Sequence, residues 1–368
     1  MLNRLKDLLL GNRPEGAHDG AAAPKDSGIL VNAYCTNAVV PKLEFPHRNL
    51  RKREMPSAEM GKHLKGFEGY VMSRGSPQMT RTKYHVVRHI QRVRQQLSFT
   101  VDEEQMNAVS SWAVAANAIT FLPDGSIRDP HGRVLVSAGG NDPETGAAVP
   151  YPAEAWQRKA RTEAILEAKG VRVPDHLPPL VSEPEVNLRL PAEVAARAVS
   201  LLMVAVRAES LAGGNPIAGT QLRKTFPSHL VSLTPKEAAF IDQEAPAQTE
   251  VVQFAWRYEG VFLLEWALGL ASDLPFPERI CDVPKTVQTL MSAASGNLAK
   301  QARLLEPQLI LDALDLQYRL HWHVRQARLD GQQLLPGLDG GVISERHHAL
   351  NWLVRFEDRD WDDVDTPT

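Results

Sequence analysis

Helical periodicity dominates the pattern of apolar and polar positions in the second half of the chain. Apolar residues recur there every three or four positions, which places them on one face of an α-helix. The pattern predicts helices at 153–169, 191–208, 216–225, 234–243, 248–270, 284–299, 305–329 and 342–355. Because almost no strand pattern occurs after residue 152, we predict a larger all-α helical domain over 153–368.

The first part of the chain mixes strand and helix patterns. Short apolar runs predict strands at 28–35, 67–72, 118–122 and 134–136. Between the second and third of these strands, Val86, Ile90, Val93 and Leu97 form the apolar stripe of a helix. Thr100 and Glu103 have the spacing of a capping box, which predicts the start of a second helix. Strands and helices do not alternate strictly, so the fold class is α+β, with a small N-terminal α+β sandwich domain.

Segments without periodicity set the domain boundaries. Residues 1–27 are rich in Gly, Ala, Pro and Asp and are expected to form a flexible leader. The α+β domain then covers 28–137, and the Gly- and Pro-containing stretch 138–152 is predicted to be a linker to the helical domain.

Composition and charge exclude several classes of protein. The chain has 368 residues, 43% of them hydrophobic, and a net charge of −3, which are ordinary globular values. Its two cysteines, Cys35 and Cys281, exclude a disulfide scaffold and a zinc site built on cysteine pairs. No apolar run approaches the roughly 20 residues of a membrane helix, and the N-terminus lacks a signal-peptide core. We therefore expect a soluble protein of the cytoplasm, with no membrane partner.

A basic segment lies in the predicted α+β domain. Residues 42–95 hold 13 Lys or Arg residues against four acidic ones. Five basic side chains are predicted on one helix face, as a candidate polyanion site: Arg81, His85, Arg88, His89 and Arg92. Such a face can be merely solvated, can dock the acidic tail at 357–365, or can hold phosphates. Aromatic side chains and groove-reading motifs are lacking, so we do not expect nucleic acid as a partner.

The helix predicted at 305–329 carries a polar strip between two apolar sectors. Asp312, Asp315 and Arg319 lie on this strip, and Asp315 and Arg319 have the favoured i,i+4 spacing of an acid before a base. Flanking apolar surface indicates that the strip is partly buried, and buried charges must be paired.

Two further segments supply partners for this strip, and we expect the three helices to form one cluster. The candidate catalytic residues are Asp312, Asp315, Arg319, Glu345, Arg346 and His347. The candidate binding residues are Trp256, Arg257, Glu259, Trp322, Asn351 and Trp352. A carboxylate could act as a base and an arginine could hold an anion. The alternative is an ion-pair network that fixes helix register, with the tryptophans as packing bulk.

Metal and cofactor motifs are not found in the sequence. His321 and His323 point about 200° apart on a helix, since each residue turns about 100°, and no HExxH pattern occurs. The sequence also has no phosphate-binding P-loop, no dinucleotide fingerprint and no nucleophile elbow. We therefore expect no metal and no cofactor.

Several motifs resemble a bacterial family known only as domain-of-unknown-function family 4272. They are the FAWRYE and LEWALG segments at 254–259 and 264–269, ILDALDLQYR at 310–319, ERHHALNWL at 345–353 and WDDV at 361–364. The similarity covers about 155–368. It implies a helical domain and a bacterial origin, and carries no activity.

Two functions fit these observations. The first is a non-catalytic protein-interaction module, an adaptor or an immunity-type partner of another protein. The alternative is a hydrolase that acts on a phosphorylated or nucleotide-like ligand through the Asp, Arg, Glu and His cluster. The sequence leaves the ligand or partner and the oligomeric state open.

Overall fold

The computed structural model describes residues 28–75, 78–140 and 143–368, so the predicted leader at 1–27 lies outside the described residues. The chain divides into two compact units. The first unit runs to Trp156 and also takes Pro178–Glu185, whereas the second takes Gln157–Leu177 and Val186–Thr368. An antiparallel sheet with helices is followed by a larger helical region, which confirms the predicted α+β class.

A six-stranded antiparallel sheet forms the centre of the first unit. Its strands are β1 Ile29–Cys35, β2 Arg48–Glu54, β3 Gln95–Val101, β4 Ala118–Phe121, β5 Ile127–Arg128 and β6 Val134–Val136. Their order across the sheet is β2-β3-β1-β4-β5-β6. The unit's helices are α1 Ala58–Met72, α2 Arg81–Arg92 and α3 Met106–Ala115, and α4 Ala153–Ala168 begins in it and continues into the second unit.

Alternating side chains place helices on both faces of this sheet. In β1, Tyr34 packs on one face with the apolar side chains of α1 and α2. Its neighbours Ala33 and Cys35 pack on the other face with those of α3. Successive strand residues point to opposite faces, so both faces of the central strand are covered.

The predicted strand at 67–72 is wrong, because these residues belong to α1. Met60, Leu64, Phe67 and Val71 are buried at helical spacing, and Ser57 caps the helix by accepting a hydrogen bond from the backbone of Met60. The full amphipathic stripe becomes visible only when the window begins ten residues earlier.

The helix start predicted at Thr100 and Glu103 is also wrong, because Thr100 lies in β3 and helix α3 begins at Met106. Val86 and Ile90 are buried in α2, but that helix ends at Arg92, and Leu97 and Thr100 lie in β3. The charged strand β2 was missed, because its side chains are mostly exposed at the sheet edge and show no alternation.

The second unit is helical, as the periodicity predicts. After α4 come α5 Pro191–Ala212, α6 Gly219–Thr225, α7 Pro235–Asp242, α8 Gln248–Ala255, α9 Arg257–Ala267, α10 Val283–Ala294, α11 Leu298–Gln301, α12 Pro307–Leu329 and α13 Gly340–Leu353. Helix α5 packs against α8 and α9, and α13 packs against α9 and α12. Within the described ranges, no helix combines the length and the apolar character needed to cross a membrane.

Candidate functional site

On the predicted polar strip of α12, Arg319 forms ion pairs with Asp315 of the same helix and with Glu163 of α4. Arg319 is fully buried, and its Nε and Nη2 donate to the two carboxylate oxygens of Asp315 at 2.9 and 3.0 Å. Its Nη1 donates to Glu163 on α4 at 3.1 Å. Two carboxylates thus surround one guanidinium, and both hydrogen-bonding edges of Arg319 are used.

Asp312, one turn earlier on α12, lies at the surface end of the same contact. It accepts hydrogen bonds from Arg158 at 2.9 Å and from Arg161 at 3.1 Å, both on α4. Asp312 and Arg319 therefore pair with α4, and Asp315 pairs with Arg319, rather than with the segments that the sequence offered as partners.

A second set of ion pairs joins α9 to α13, as the sequence suggested. Arg346 donates from Nε to Glu259 at 3.1 Å and from Nη1 to the carbonyl of Pro275 at 2.6 Å. Arg257 donates to Glu345 at 2.7 Å. Burial raises the pKa of Glu345, and the positive charge of Arg257 partly offsets this rise. Burial lowers the pKa of Arg346, and the negative charge of Glu259 partly offsets this fall.

His347 is paired with a histidine of α12. Its Nδ1 lies 2.9 Å from Nδ1 of His321, and both rings are buried. Burial and the nearby Arg325 and Arg328 lower the pKa of His321 to about 4, so this ring is neutral at pH 7. One ring then donates and the other accepts, which makes the pair a link between α12 and α13.

The predicted binding residues Asn351 and Trp352 contact the C-terminal segment of the chain. Asn351 donates from Nδ2 to the carbonyl of Asp365 at 2.8 Å, and Trp352 packs edge-on against Trp361 with 5.4 Å between ring centroids. Trp322 is half-buried on α12. Asn351 and Trp352 hold the acidic tail against its own unit.

Trp256, by contrast, lines a cavity of about 590 Å³, which we call the apolar cavity. Its walls come from the end of α5, from α8, from the start of α9, from the loop before α10 and from the start of α10. The apolar lining residues are Ala212, Val251, Val252, Ala255, Ile280, Val283, Pro284 and Val287. Glu209 and Tyr258 supply polar atoms, and the Tyr258 hydroxyl donates to Glu209 at 2.5 Å. Burial and the Glu209 carboxylate raise the pKa of Tyr258, so its hydroxyl stays protonated.

A second cavity of about 1270 Å³, the polar cavity, lies between α9, α10 and the loop before α10. Glu265 and Arg346 line it, and Ile280 and Cys281 border both cavities. Burial and the neighbouring Glu259 raise the pKa of the Cys281 thiol to about 12, which leaves no thiolate nucleophile at pH 7.

Glu265 is the site residue that the candidate set lacks. It is only 1% exposed, and its Oε1 has no hydrogen-bond donor among the described residues. Burial raises the pKa of its carboxyl to about 8. The sequence does hint at this residue, because Glu265 is the one acidic residue inside the apolar run at 261–270. In a helix with apolar residues on all sides, such a carboxyl is expected to be buried.

The basic residues of α2 lie in the first unit and do not form one exposed face. His89 is fully buried beside the carbonyl of Tyr34, so the prediction that it belongs to this face is corrected. Arg92 pairs with Glu185 and also lies over the ring of Tyr151. The remaining three are exposed or half-buried, as Arg81, His85 and Arg88.

The comparisons assign the second unit to a family. The family model described as a domain of unknown function (DUF4272) matches residues 158–364, more than half of the chain. The chain belongs to this family. A search of curated proteins and a search of solved structures each find no match. Among the residues that the structure describes, no group of three or more His, Cys, Asp or Glu side chains is placed to hold a metal ion.

Proposed function

We propose that the protein is a non-catalytic interaction module that binds another protein through the apolar cavity. The observation that carries the proposal is the cavity itself: about 590 Å³ of space with mostly apolar walls. Two apolar side chains at it, Ile280 and Val252, are 56% and 49% exposed. Contiguous exposed apolar surface of this kind marks interaction sites.

The polar atoms of the cavity define the chemistry of the partner. Glu209 is exposed and, with Tyr258, places a carboxylate beside the apolar walls. A partner segment with bulky apolar side chains and an adjacent lysine or arginine matches this arrangement, because the apolar groups leave water while the cation meets the carboxylate. The proposed occupant is therefore an apolar-basic segment of a second protein.

Pairing of the candidate catalytic residues favours this role over the alternative hydrolase. Asp315 is held by Arg319, and Glu345 by Arg257. The His347–His321 pair is buried between two helices. A general base needs a lone pair directed at a substrate, whereas these groups direct theirs at one another.

Capture from a lysate of the source organism, with matched variants, tests the proposal. Val252→Asp places a charge at the cavity, and Ile165→Asp places the same charge at a 51% exposed position on α4, outside the cavity. We expect the wild type and Ile165→Asp to retain one stoichiometric partner that Val252→Asp loses. No stoichiometric partner, or equal retention by both variants, would contradict the proposal.

The proposal includes the location and origin expected from the sequence. Both cysteines are free thiols, one buried and one half-buried, which supports a reducing compartment. We therefore propose that the protein acts in the cytoplasm of a bacterium.

A further inference from the structure

Glu265 is buried with one carboxyl oxygen, Oε1, that receives no hydrogen bond from the described residues, while the backbone of Leu290 favours its ionised form. It lies in the last turn of α9, 1% exposed, at the wall of the polar cavity. A buried carboxyl with an oxygen that receives no hydrogen bond from the described residues carries a free-energy penalty. A donor that enters the cavity would remove this penalty.

The charged groups of the protein around Glu265 are already committed or lie farther out. Arg346 donates to Glu259 and to the Pro275 carbonyl. Lys285 and Arg279 line the cavity as exposed residues. Three exposed acids also line it, namely Asp273, Glu278 and Asp282. With Glu265, carboxyl groups thus outnumber the two uncommitted cationic side chains.

We propose that the polar cavity binds a linear aliphatic diamine, with one ammonium group on Glu265 and the other among the exposed carboxylates. The ammonium supplies the donor that Glu265 lacks, and a compact cation suits a single carboxylate. Apolar side chains, including Phe262, Leu270 and Phe276, also line the cavity and fit the methylene chain between the two charges.

Binding moves one proton at Glu265. Burial holds the pKa of the free carboxyl at about 8, so most of it is protonated at pH 7. An ammonium beside it favours the carboxylate, because an opposite charge stabilises the ionised form. The proton leaves the Glu265 carboxyl for the buffer when the diamine enters as its doubly charged form. This inference is independent of the partner proposed for the apolar cavity.

Calorimetric titration with pentane-1,5-diamine tests the site, with pentane-1,5-diol as the uncharged probe of the same length. We expect the diamine to bind the wild type in low salt and the diol to give no heat beyond dilution. Titrations at pH 7 in two buffers of different ionisation enthalpy should show release of close to one proton. No diamine binding at 10 mM ligand would overturn the proposal.

Two variants separate the site from general charge attraction. Glu265→Gln keeps the shape and removes the ionisable group, and should weaken diamine binding at least 10-fold and abolish proton release. Glu167→Gln removes an exposed carboxylate of α4 outside the cavity and should leave both unchanged. Circular dichroism checks that both variants fold. Equal affinity in wild type and Glu265→Gln would refute the site.

Discussion

At the residue scale, the buried arginines of the second unit differ in role from ordinary surface charges. Arg319 has no exposed area, yet three of its nitrogen atoms donate to carboxylates. A buried ion pair contributes little net stability because desolvation offsets attraction, but loss of one partner strands the other charge. The sequence predicted the Asp315–Arg319 pair from its i,i+4 spacing. It could not predict Glu163, which lies 156 residues away from Arg319 and is brought near only by packing.

Asp315→Asn should lower the free energy of unfolding by about 3 kcal/mol, because the buried Arg319 charge loses its bidentate partner and keeps only Glu163. Asp242→Asn is the control at a surface ion pair with Arg223. The two side chains are 64% and 44% exposed, so the loss should stay below about 1 kcal/mol. Urea unfolding followed by the helical circular dichroism signal measures both. Similar losses for the two variants would contradict the buried-pair account.

Glu265→Gln should stabilise the protein at pH 7.5 and have little effect at pH 4.5. Burial raises the pKa of Glu265 in the folded state to about 8. Above pH 4.5 the carboxyl therefore ionises in the unfolded state but stays protonated in the folded state, and the free energy of unfolding falls as the pH rises. The amide cannot ionise, which removes this loss, and we expect a gain of about 2 kcal/mol at pH 7.5. Thermal unfolding at the two pH values checks it; a gain of equal size at both would refute the raised pKa.

At the element scale, close contact between the start of α13 and the ring of Trp256 fixes one wall of the apolar cavity. A Cβ atom at Gly341 would lie 2.5–2.8 Å from three atoms of that ring. Distances under 3 Å require the indole or the helix to move. The sequence did not indicate this contact at Gly341, because Trp256 lies 85 positions earlier in the chain.

Gly341→Ala should therefore destabilise the protein by about 1–3 kcal/mol, as overpacking does. Gly61→Ala in α1 provides the contrast, since no atom lies within 4 Å of its added Cβ. Alanine at a helical position restricts the unfolded chain more than glycine does, so the free energy of unfolding of this variant should rise by about 0.5–1 kcal/mol. Thermal melts of both variants give the comparison, and a destabilised Gly61→Ala would contradict it.

Elements with a long, regular pattern were predictable, and short or edge elements were not. Helix α12 was expected at 305–329 and is Pro307–Leu329. Strand β2 was not predicted, because an exposed edge strand needs no apolar face. The apolar stripe predicted for α2 included Leu97, but the helix ends at Arg92 and Leu97 pairs with Ala33 in the sheet. The local pattern does not show this helix end, because the pairing strand lies far away in the sequence.

At the scale of the whole molecule, buried neutral histidines occur in both units and make stability depend on pH. Burial lowers the pKa values of His63, His321 and His348 to about 4. It lowers that of His89 to about 3. The unfolded chain takes up these protons near pH 6.5, whereas the folded chain does not.

Stability should therefore be intact above pH 6.5 and fall as the pH drops towards 4. Each histidine is expected to contribute a loss of about 1–2 kcal/mol at pH 5. Glu265 has the opposite sign and offsets part of this loss. Urea midpoints between pH 7.5 and 4.5 measure the trend. A midpoint that is flat or rises between pH 7 and 5 would show that these rings are not held neutral.

The central claim is that the apolar cavity receives a partner protein, and hydrogen exchange of the complex tests it most directly. Amide exchange of the protein alone is compared with that of the protein bound to the captured partner. The account predicts slower exchange concentrated at 251–259 and 280–287, which line the cavity. Protection elsewhere in the chain, with these two segments unchanged, would contradict it.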